Sequence, residues 1–182
     1  FATAAGMMIQ FLAQIRDTLG IHLGELDLGG GLGIRYQEND QPPSIQEYAR
    51  SLAEAVAGSC SVCSFPIPKI MVEPGRSIVG EAGTTLYAIG SIKDIPNIRR
   101  YVAIDGGMAD NPRVTLYQAS YQACLANKAA EEPTELVTIA GKCCESGDML
   151  IKNIMLPPVE AGDVLAVFAT GAYNYSMASN YN

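Results

Sequence analysis

Two pairs of side chains in this sequence have the chemistry to act on a charged ligand. Cys144 and Glu145 place a thiol beside a carboxylate, which suits a proton donor and an anchor for an ammonium group. Arg113 and Tyr117 would share one helix face, because their spacing is close to one helical turn. An arginine and a tyrosine on one face suit a carboxylate ligand. The plainer alternatives are ordinary turn chemistry before Arg113 and small buried residues at Cys143 and Cys144, and for Cys144 this alternative is preferred until the other motifs are considered with it.

A glycine-rich turn could hold a phosphate. Gly29, Gly30 and Gly31 follow an apolar strand at residues 25–28, and glycine lets backbone N–H groups approach an anion closely. The turn fits neither the dinucleotide fingerprint nor the Walker loop. A tight strand-to-loop turn without a ligand is the alternative.

A second strand, at residues 69–73, ends in the motif Glu73-Pro74-Gly75-Arg76. Parallel α/β folds place their chemistry at such strand ends. The strand would hold Glu73 rigidly, and Arg76 could form a bidentate pair with a phosphate or a carboxylate. A salt bridge at a surface turn is the alternative.

Composition restricts the class of protein. The 182 residues are 48% hydrophobic and 17% charged, which is typical of a folded globular protein. A net charge of −7 without a basic patch argues against a nucleic-acid partner. No apolar run approaches the roughly 20 residues of a membrane span. Five cysteines, an odd number, favour a reducing compartment, and the single histidine, His22, with one CxxC pair gives no reason to expect a metal site.

The first part of the chain has a helix–strand pattern. Apolar residues at helical spacing predict a helix at residues 1–19, and Ser44 with Glu47 forms a capping box that begins a second helix. Each helix leads to one of the two strands described above, which is typical of a parallel barrel or open sheet. The apolar stripe of the first helix consists of Phe1, Ala4, Met8, Phe11, Ile15 and Leu19.

The second part changes to short strands rich in Val, Ile, Tyr and Thr, separated by turns. This pattern predicts a mostly antiparallel β domain. Residues 116–130 are the one segment there with a helical pattern, and the domain boundary is expected between about residues 76 and 84. The predicted strands are residues 84–93, 101–104, 136–140 and 164–169.

Taken together, the motifs resemble the diaminopimelate decarboxylase family of fold-type III pyridoxal-phosphate enzymes. The motifs are LDLGGGLGI, EPGRSIVGEAG, DGGMADNPR followed by LY, CESGD, and GAYNYSMASNYN. The resemblance implies an α/β plus β architecture, an alanine-racemase-like (β/α)8 barrel followed by a β-rich domain. Residues 1–80 would be the C-terminal part of an incomplete pyridoxal-phosphate barrel. Residues 81–182 would be the β-rich decarboxylase domain, truncated at its end.

The resemblance also implies a role for each candidate residue. Glu73 would pair with the pyridine nitrogen of pyridoxal phosphate. Cys144, supplied by the partner subunit of a homodimer, would be the general acid near the α-carbon. The other cofactor-binding residues would be Gly29, Gly30, Gly31, Gly75, Arg76 and Tyr173. The substrate-binding residues would be Arg76, Arg113, Tyr117, Glu145 and Tyr173.

The implied reaction is the decarboxylation of meso-2,6-diaminopimelate to L-lysine and CO2, the last step of lysine biosynthesis. The expected location is the bacterial cytoplasm, or the plastid stroma of a plant. The unreactive end of this substrate carries an ammonium and a carboxylate, which Glu145 and the arginines Arg76 and Arg113 would match.

The family's Schiff-base lysine has no counterpart in the sequence, and the chain lacks an initiator methionine. Both observations indicate an internal fragment that would be inactive by itself. The alternatives are a non-catalytic homologue or fragment that binds a partner, and a related fold-type III decarboxylase acting on another basic amino acid.

Overall fold

The computed structural model describes all residues from Phe1 to Asn182, and the chain divides into two compact units. The first unit contains Phe1–Gly33 and Gln41–Ser77, and the second contains Ile34–Asp40 and Ile78–Asn182. The segment Ile34–Asp40 therefore belongs with residues that follow it much later in the sequence. A single boundary near residue 80 does not describe this segment.

The first unit consists of two helix–strand repeats. Helix α1 (Ala2–Leu19) precedes strand β1 (Glu25–Asp27), and helix α2 (Ile45–Val62) precedes strand β2 (Lys69–Met71). The two strands pair in parallel, so their carboxyl ends lie at the same edge. The predicted helices and strands of this part are confirmed, with strands shorter than the sequence indicates.

The helix α1 buries a different face from its apolar stripe. Phe1, Phe11 and Leu19 of the stripe are 51%, 53% and 67% exposed. A neighbouring face of α1 packs in one core cluster with α2 instead, and of the stripe residues Phe1 contacts Tyr48 of α2 through its ring edge. The residues that the two helices bury are Ala5, Ile9, Leu12, Ala13, Tyr48, Leu52, Val56 and Cys60.

The beginning of α2 is fixed by the predicted capping box. The hydroxyl oxygen of Ser44 accepts a hydrogen bond from the backbone N–H of Glu47 at 3.2 Å, and the Glu47 carboxylate accepts from the Ser44 N–H at 2.8 Å. These bonds satisfy two groups that a helix terminus would otherwise leave without partners. The capping box in the sequence is therefore confirmed.

The second unit is built on six strands. They are β3 (Thr85–Ile95), β4 (Arg99–Ile104), β5 (Ala123–Leu125), β6 (Glu135–Ala140), β7 (Met149–Leu156) and β8 (Val164–Val167). They form one sheet in the order β5-β8-β3-β4-β6-β7. Only β4 and β6 pair in parallel, so the prediction of a mostly antiparallel domain is confirmed. The core includes Val102, Leu125, Ile139 and Leu165, all fully buried.

The remaining helices are the short α-helices α3 (Gly75–Val79) and α4 (Arg113–Tyr117) and two single-turn 3₁₀ helices, Ala126–Lys128 and Tyr175–Met177. The helical pattern at residues 116–130 is a wrong prediction, because α4 ends at Tyr117 and Gln118 adopts a left-handed conformation with φ of 53°. The chain then enters β5, which pairs with β8, and this tertiary pairing overrides the local helical preference. The sequence pattern also did not predict strand β7.

None of the helices combines the length and the apolar character that a membrane span requires.

Candidate functional site

The glycine turn and the Glu73 turn lie side by side at the carboxyl ends of β1 and β2. The backbone N–H of Leu28 donates to the carbonyl oxygen of Met71 at 3.0 Å, and that of Glu73 donates to Gly29 at 2.8 Å. At Gly30, an added Cβ would come within 2.2 Å of the Glu73 carbonyl oxygen. Only glycine allows this close approach of the two turns.

The turn presents two backbone donors that the chain itself does not use. The N–H of Gly29 donates to the Asp27 carboxylate at 2.8 Å, and that of Gly75 donates to the Glu73 carbonyl at 2.9 Å. The N–H groups of Gly30 and Gly31 have no acceptor within the chain. These two glycines, with φ of 96° at Gly31, form a loop that suits an anion such as a phosphate.

The side chain of Arg76 donates hydrogen bonds to the same glycine turn. Its Nε and Nη2 atoms each lie 3.4 Å from a backbone carbonyl oxygen, those of Leu32 and Gly31 respectively. The guanidinium therefore brings a positive charge to the glycine turn, where a phosphate group would benefit from it. Glu73, in contrast, is exposed and its carboxylate forms no ion pair or hydrogen bond. A carboxylate without a partner at this edge suits a protonated ring nitrogen.

Lys69 is the only lysine of the first unit, and it lies away from this edge. It is the first residue of β2, and its Nζ pairs with Glu25 at the start of β1 at 3.0 Å. The amino ends of both strands therefore carry this pair, whereas the glycine turn lies at their carboxyl ends. Lys69 does not supply an amine to the glycine turn.

In the second unit, Arg113 is a buried cation surrounded by tyrosines. It is 8% exposed, and its Nη1 donates to the hydroxyls of Tyr121 at 2.8 Å and Tyr36 at 2.9 Å. Its Cζ lies 4.9 Å from the centre of the Tyr36 ring and 5.8 Å from that of Tyr173. These contacts hold the guanidinium by cation–π attraction as well as by hydrogen bonds.

No carboxylate neutralises Arg113. It forms no salt bridge, although burial of an unpaired charge is unfavourable. Its Nε and Nη2 have no partner in the chain, and neither atom is sealed from solvent. The Nε–Nη2 edge of the guanidinium is therefore open to a ligand, and its two parallel N–H groups match a carboxylate.

Tyr117 and Tyr173 differ in their relation to Arg113. Tyr117 shares α4 with Arg113 as predicted, but it is 64% exposed and takes no part in the tyrosine cluster. Tyr173 is half exposed, adopts a left-handed φ of 66°, and contributes its ring to the cluster. Left-handed backbone is uncommon for a residue with a side chain, so the surrounding structure must enforce it.

The loop that carries Cys144 is organised by Asp148. The Asp148 carboxylate is buried and accepts from the N–H of Cys143 at 2.9 Å and of Met108 at 2.7 Å. An added Cβ at Gly107 or Gly141 would come within 2.6 or 2.2 Å of this carboxylate. Gly107 of the DGGM motif and Gly141, which precedes the CESGD motif, therefore make room for one buried acid.

Cys144 and Glu145 project from this loop into exposed positions. The side-chain amide of Asn182 donates to the Cys144 sulfur at 3.4 Å, and the Tyr181 hydroxyl donates to the Glu145 carboxylate. The bond to Glu145 raises the pKa of Tyr181. Burial, followed by the nearby Asp148 charge, raises the pKa of Cys143, so this thiol stays protonated at neutral pH.

Sequence reasoning missed Tyr36, Tyr121, Asp110 and Asp148 as residues that shape the site. Asp110 accepts from the Tyr87 hydroxyl at 2.5 Å and from the Gly107 N–H at 2.8 Å. Burial and this bond raise the pKa of Tyr87. Asp110 lies in the motif DGGMADNPR and Asp148 in CESGD, so these motifs could have indicated both residues. Nothing in the sequence near Tyr36 or Tyr121 indicates a contact with Arg113.

The chain belongs to a known family of pyridoxal-dependent decarboxylases. Residues 15–171 match the family model described as "Pyridoxal-dependent decarboxylase, C-terminal sheet domain". The family match agrees with the helix–strand repeats followed by a mixed sheet, so the fold class expected from the sequence is confirmed.

Curated relatives and solved structures narrow the similarity to diaminopimelate decarboxylases. The chain is 55% identical to that of Bacillus subtilis over 100% of its own length and 42% of the relative, and 56% identical to that of Synechocystis over 91% and 35%. The crystal structure of the M. jannaschii enzyme in co-complex with L-lysine matches with a TM-score of 0.89 and 35% identity, over 100% of this chain and 41% of that one. The chain therefore spans less than half of the relatives that it matches.

Proposed function

We propose that the protein containing this chain decarboxylates meso-2,6-diaminopimelate to L-lysine and CO2. The observation that carries the proposal is Arg113, a buried guanidinium with no carboxylate partner and with its Nε–Nη2 edge open. The substrate keeps one carboxylate throughout the reaction, at the end that does not react. That carboxylate would neutralise Arg113 through two charge-assisted hydrogen bonds.

Selectivity follows from the same residue. Lysine, ornithine and arginine, when they present their own α-carbon for reaction, carry no carboxylate at the far end. Each would leave Arg113 buried and unpaired, which a site of this kind penalises strongly. Glu145 would bind the ammonium group beside the retained carboxylate, and the similarity to diaminopimelate decarboxylases supports both assignments.

The first unit fits the cofactor that the family name implies. The free N–H groups of Gly30 and Gly31 and the charge of Arg76 would bind the phosphate of pyridoxal phosphate. The resemblance adds Gly29, Gly75 and Tyr173 as ligands, but the N–H groups of Gly29 and Gly75 already donate to Asp27 and Glu73. Glu73 would hold a proton on the pyridine nitrogen. Pyridoxal phosphate supplies the sink for the electron pair left when the carbon–carboxylate bond breaks.

Cys144 would return a proton to the α-carbon after CO2 leaves. Cys144 is exposed on the loop that Asp148 holds by a hydrogen bond with Cys143. This position supports a role for its thiol in the active site of a second subunit. We propose a homodimer with shared active sites. Exposed apolar side chains of the second unit, such as Leu116 and Leu136 at 61% and 57% exposure, support an interface with a second copy of the chain. All five cysteines are free, which supports a reducing compartment such as the cytoplasm.

The covalent anchor for the cofactor would lie outside these 182 residues. Lys69, the only lysine of the first unit, is paired with Glu25 at the amino ends of the strands, and the resemblance assigns the anchor to none of the other four lysines, Lys93, Lys128, Lys142 and Lys152. The complete reading frame that encodes this chain is therefore the protein to test. We expect an additional lysine, in a preceding helix–strand repeat, to form the covalent bond to the cofactor.

The test is a CO2-release assay on the purified product of the complete reading frame. We expect it to bind pyridoxal phosphate, seen as visible absorbance, and to release CO2 from meso-diaminopimelate but not from lysine, ornithine or arginine. Arg113→Ala should lower kcat/KM by roughly 1,000-fold, since two charge-assisted hydrogen bonds are lost. Arg50→Ala, at an exposed position of α2, is the matched control and should behave as wild type.

The shared active site has its own test. Arg113→Ala and Cys144→Ala proteins, each nearly inactive, are mixed under conditions that allow subunits to exchange. If each site combines Arg113 of one subunit with Cys144 of the other, one of the two sites in every mixed dimer is intact, and statistical exchange restores roughly a quarter of wild-type activity. A mixture that remains inactive although mixed dimers form would contradict this division of Arg113 and Cys144 between subunits. Release of CO2 from lysine at the rate of diaminopimelate would contradict the proposed substrate.

A further inference from the structure

The orientation of the Arg113 guanidinium is set by two hydroxyl groups rather than by an acid. Both hydrogens of Nη1 are used, one by Tyr121 at 2.8 Å and one by Tyr36 at 2.9 Å. The three remaining N–H groups, on Nε and Nη2, are left for a ligand. Because a guanidinium is planar and rigid, fixing Nη1 also fixes the direction of the opposite edge.

The two tyrosines form a rigid support. Tyr121 is 2% exposed, and its ring packs edge-on against Tyr36 with centroids 5.5 Å apart and an interplanar angle of 86°. Aromatic pairs of this geometry are favourable and hold each ring in one orientation. Tyr121 follows α4 after the left-handed turn at Gln118, so the chain folds back and brings its hydroxyl under Arg113.

Neutral hydroxyls differ from a carboxylate in their effect on the charge of Arg113. A carboxylate in this position would neutralise the cation and weaken its attraction for an anionic ligand. Two tyrosine hydroxyls satisfy Nη1 by hydrogen bonding and leave the positive charge uncompensated. The arrangement therefore orients the guanidinium and preserves its affinity for an anion.

We infer that Tyr121, supported by Tyr36, is a positioning residue that presents the Nε–Nη2 edge of Arg113 to the carboxylate that the substrate retains. The inference rests on the proposed function, because it assigns to that reaction the group that Arg113 binds. Selection of substrates that retain a carboxylate would then depend on the Tyr121 hydroxyl, which bonds to Arg113 and does not touch the substrate.

The test uses Tyr121→Phe in the product of the complete reading frame. Phenylalanine keeps the ring and removes only the hydroxyl, and circular dichroism with thermal denaturation checks that the variant folds. We expect KM for meso-diaminopimelate to rise about tenfold, with kcat within about twofold of wild type, because the loss is one of ligand orientation. Tyr36→Phe should shift KM in the same direction.

Two competitive inhibitors separate positioning from a general disturbance. L-lysine carries one carboxylate, and cadaverine has the same carbon chain and amines without it. The inhibition constant of L-lysine should rise about tenfold in Tyr121→Phe, whereas that of cadaverine should stay unchanged. Equal changes for both inhibitors, or no change for L-lysine, would overturn the inference.

The control is Tyr101→Phe, because Tyr101 is half-buried and its hydroxyl forms no hydrogen bond within the chain. It should leave both inhibition constants as in wild type. The wild-type assay separates the two proposals. A wild-type protein that does not decarboxylate diaminopimelate contradicts the proposed function, whereas an active wild type with an unaltered Tyr121→Phe contradicts only the role of Tyr121.

Discussion

The buried carboxylate of Asp148 accepts a hydrogen bond from the backbone N–H of Cys143 at 2.9 Å. Its second oxygen accepts from the N–H of Met108 at 2.7 Å. One side chain thus ties the loop that carries Cys144 to the loop that precedes Arg113. Both loops bear residues proposed for the reaction, so their relative position depends on a residue that would not touch the substrate.

Asp148→Asn should disturb both loops. The new NH2 group must face a backbone N–H, either that of Met108 or that of Cys143, so one donor loses its acceptor. We expect unfolding free energy to fall by about 1–3 kcal/mol. We also expect kcat to fall roughly 100-fold, as for a reacting group displaced by about 1 Å. Chemical denaturation and steady-state kinetics of the complete protein measure the two effects.

Asp163→Asn provides the control for Asp148 and a prediction of its own. Burial opposes ionisation of Asp163, but hydrogen bonds from Asn127 at 2.8 Å and Lys128 at 2.9 Å outweigh it and lower its pKa. A lowered pKa in the folded state stabilises the protein fully above the unfolded pKa of about 3.9, and this stabilisation is lost as the pH falls further.

At neutral pH the free energy of unfolding of the asparagine variant should therefore be about 1–3 kcal/mol lower than that of wild type. When the pH falls from neutral to acid, the free energy of unfolding should decrease less in the variant than in wild type. Melting temperatures measured across the acid range check this. Because the Asp163 carboxylate bonds to Asn127, Lys128 and the Glu160 N–H and to no residue of the Cys144 loop, kcat should remain unchanged. An equal loss of kcat in both variants would show that lowered stability alone explains the effect of Asp148→Asn.

Gly30→Ala should impair cofactor retention. The new Cβ would come within 2.2 Å of the Glu73 carbonyl oxygen, so the two turns must separate. We expect visible absorbance of bound pyridoxal phosphate to be lost on dialysis. Gly58→Ala in α2 is the matched control, since its Cβ meets nothing within 4 Å and alanine favours a helix by up to about 1 kcal/mol. A Gly30→Ala protein that retains its cofactor fully would contradict the phosphate assignment.

The adjacent cysteines should differ in their effect on turnover. Cys144 is exposed, whereas Cys143 is half-buried with a raised pKa. Cys144→Ala should lower kcat by at least about 100-fold, the usual contribution of a general acid. Cys143→Ala should change kcat by no more than about threefold, because the substitution keeps the backbone N–H of Cys143 that donates to Asp148. The opposite order of effects would assign the acid to Cys143.

Local features of the structure were predictable because their signals are local. The capping box of α2 joins Ser44 and Glu47, which are three residues apart, and the sequence pattern was sufficient to predict it. The glycine turn and the Glu73 turn follow strands that the sequence also indicates. Parallel pairing then brings the carboxyl ends of these strands to one edge.

Contacts between distant residues were not predictable in this way. Tyr36 is 77 residues from Arg113, and Asp148 is 40 residues from Met108. No periodicity or spacing records such a contact, because it arises only when the sheet has formed. The same holds for α1, where packing against α2 buries a face that differs from the apolar stripe seen in the sequence.

The assignment of Ile34–Asp40 to the second unit has a practical consequence for protein engineering. Expression of residues 81–182 as an isolated domain would omit Tyr36 and leave Arg113 with one of its two hydroxyl supports. A chimaera that exchanges the β-rich domain between relatives at one junction would pair Arg113 with a foreign loop. Such hybrids should therefore carry the short loop together with the sheet, as a two-segment graft.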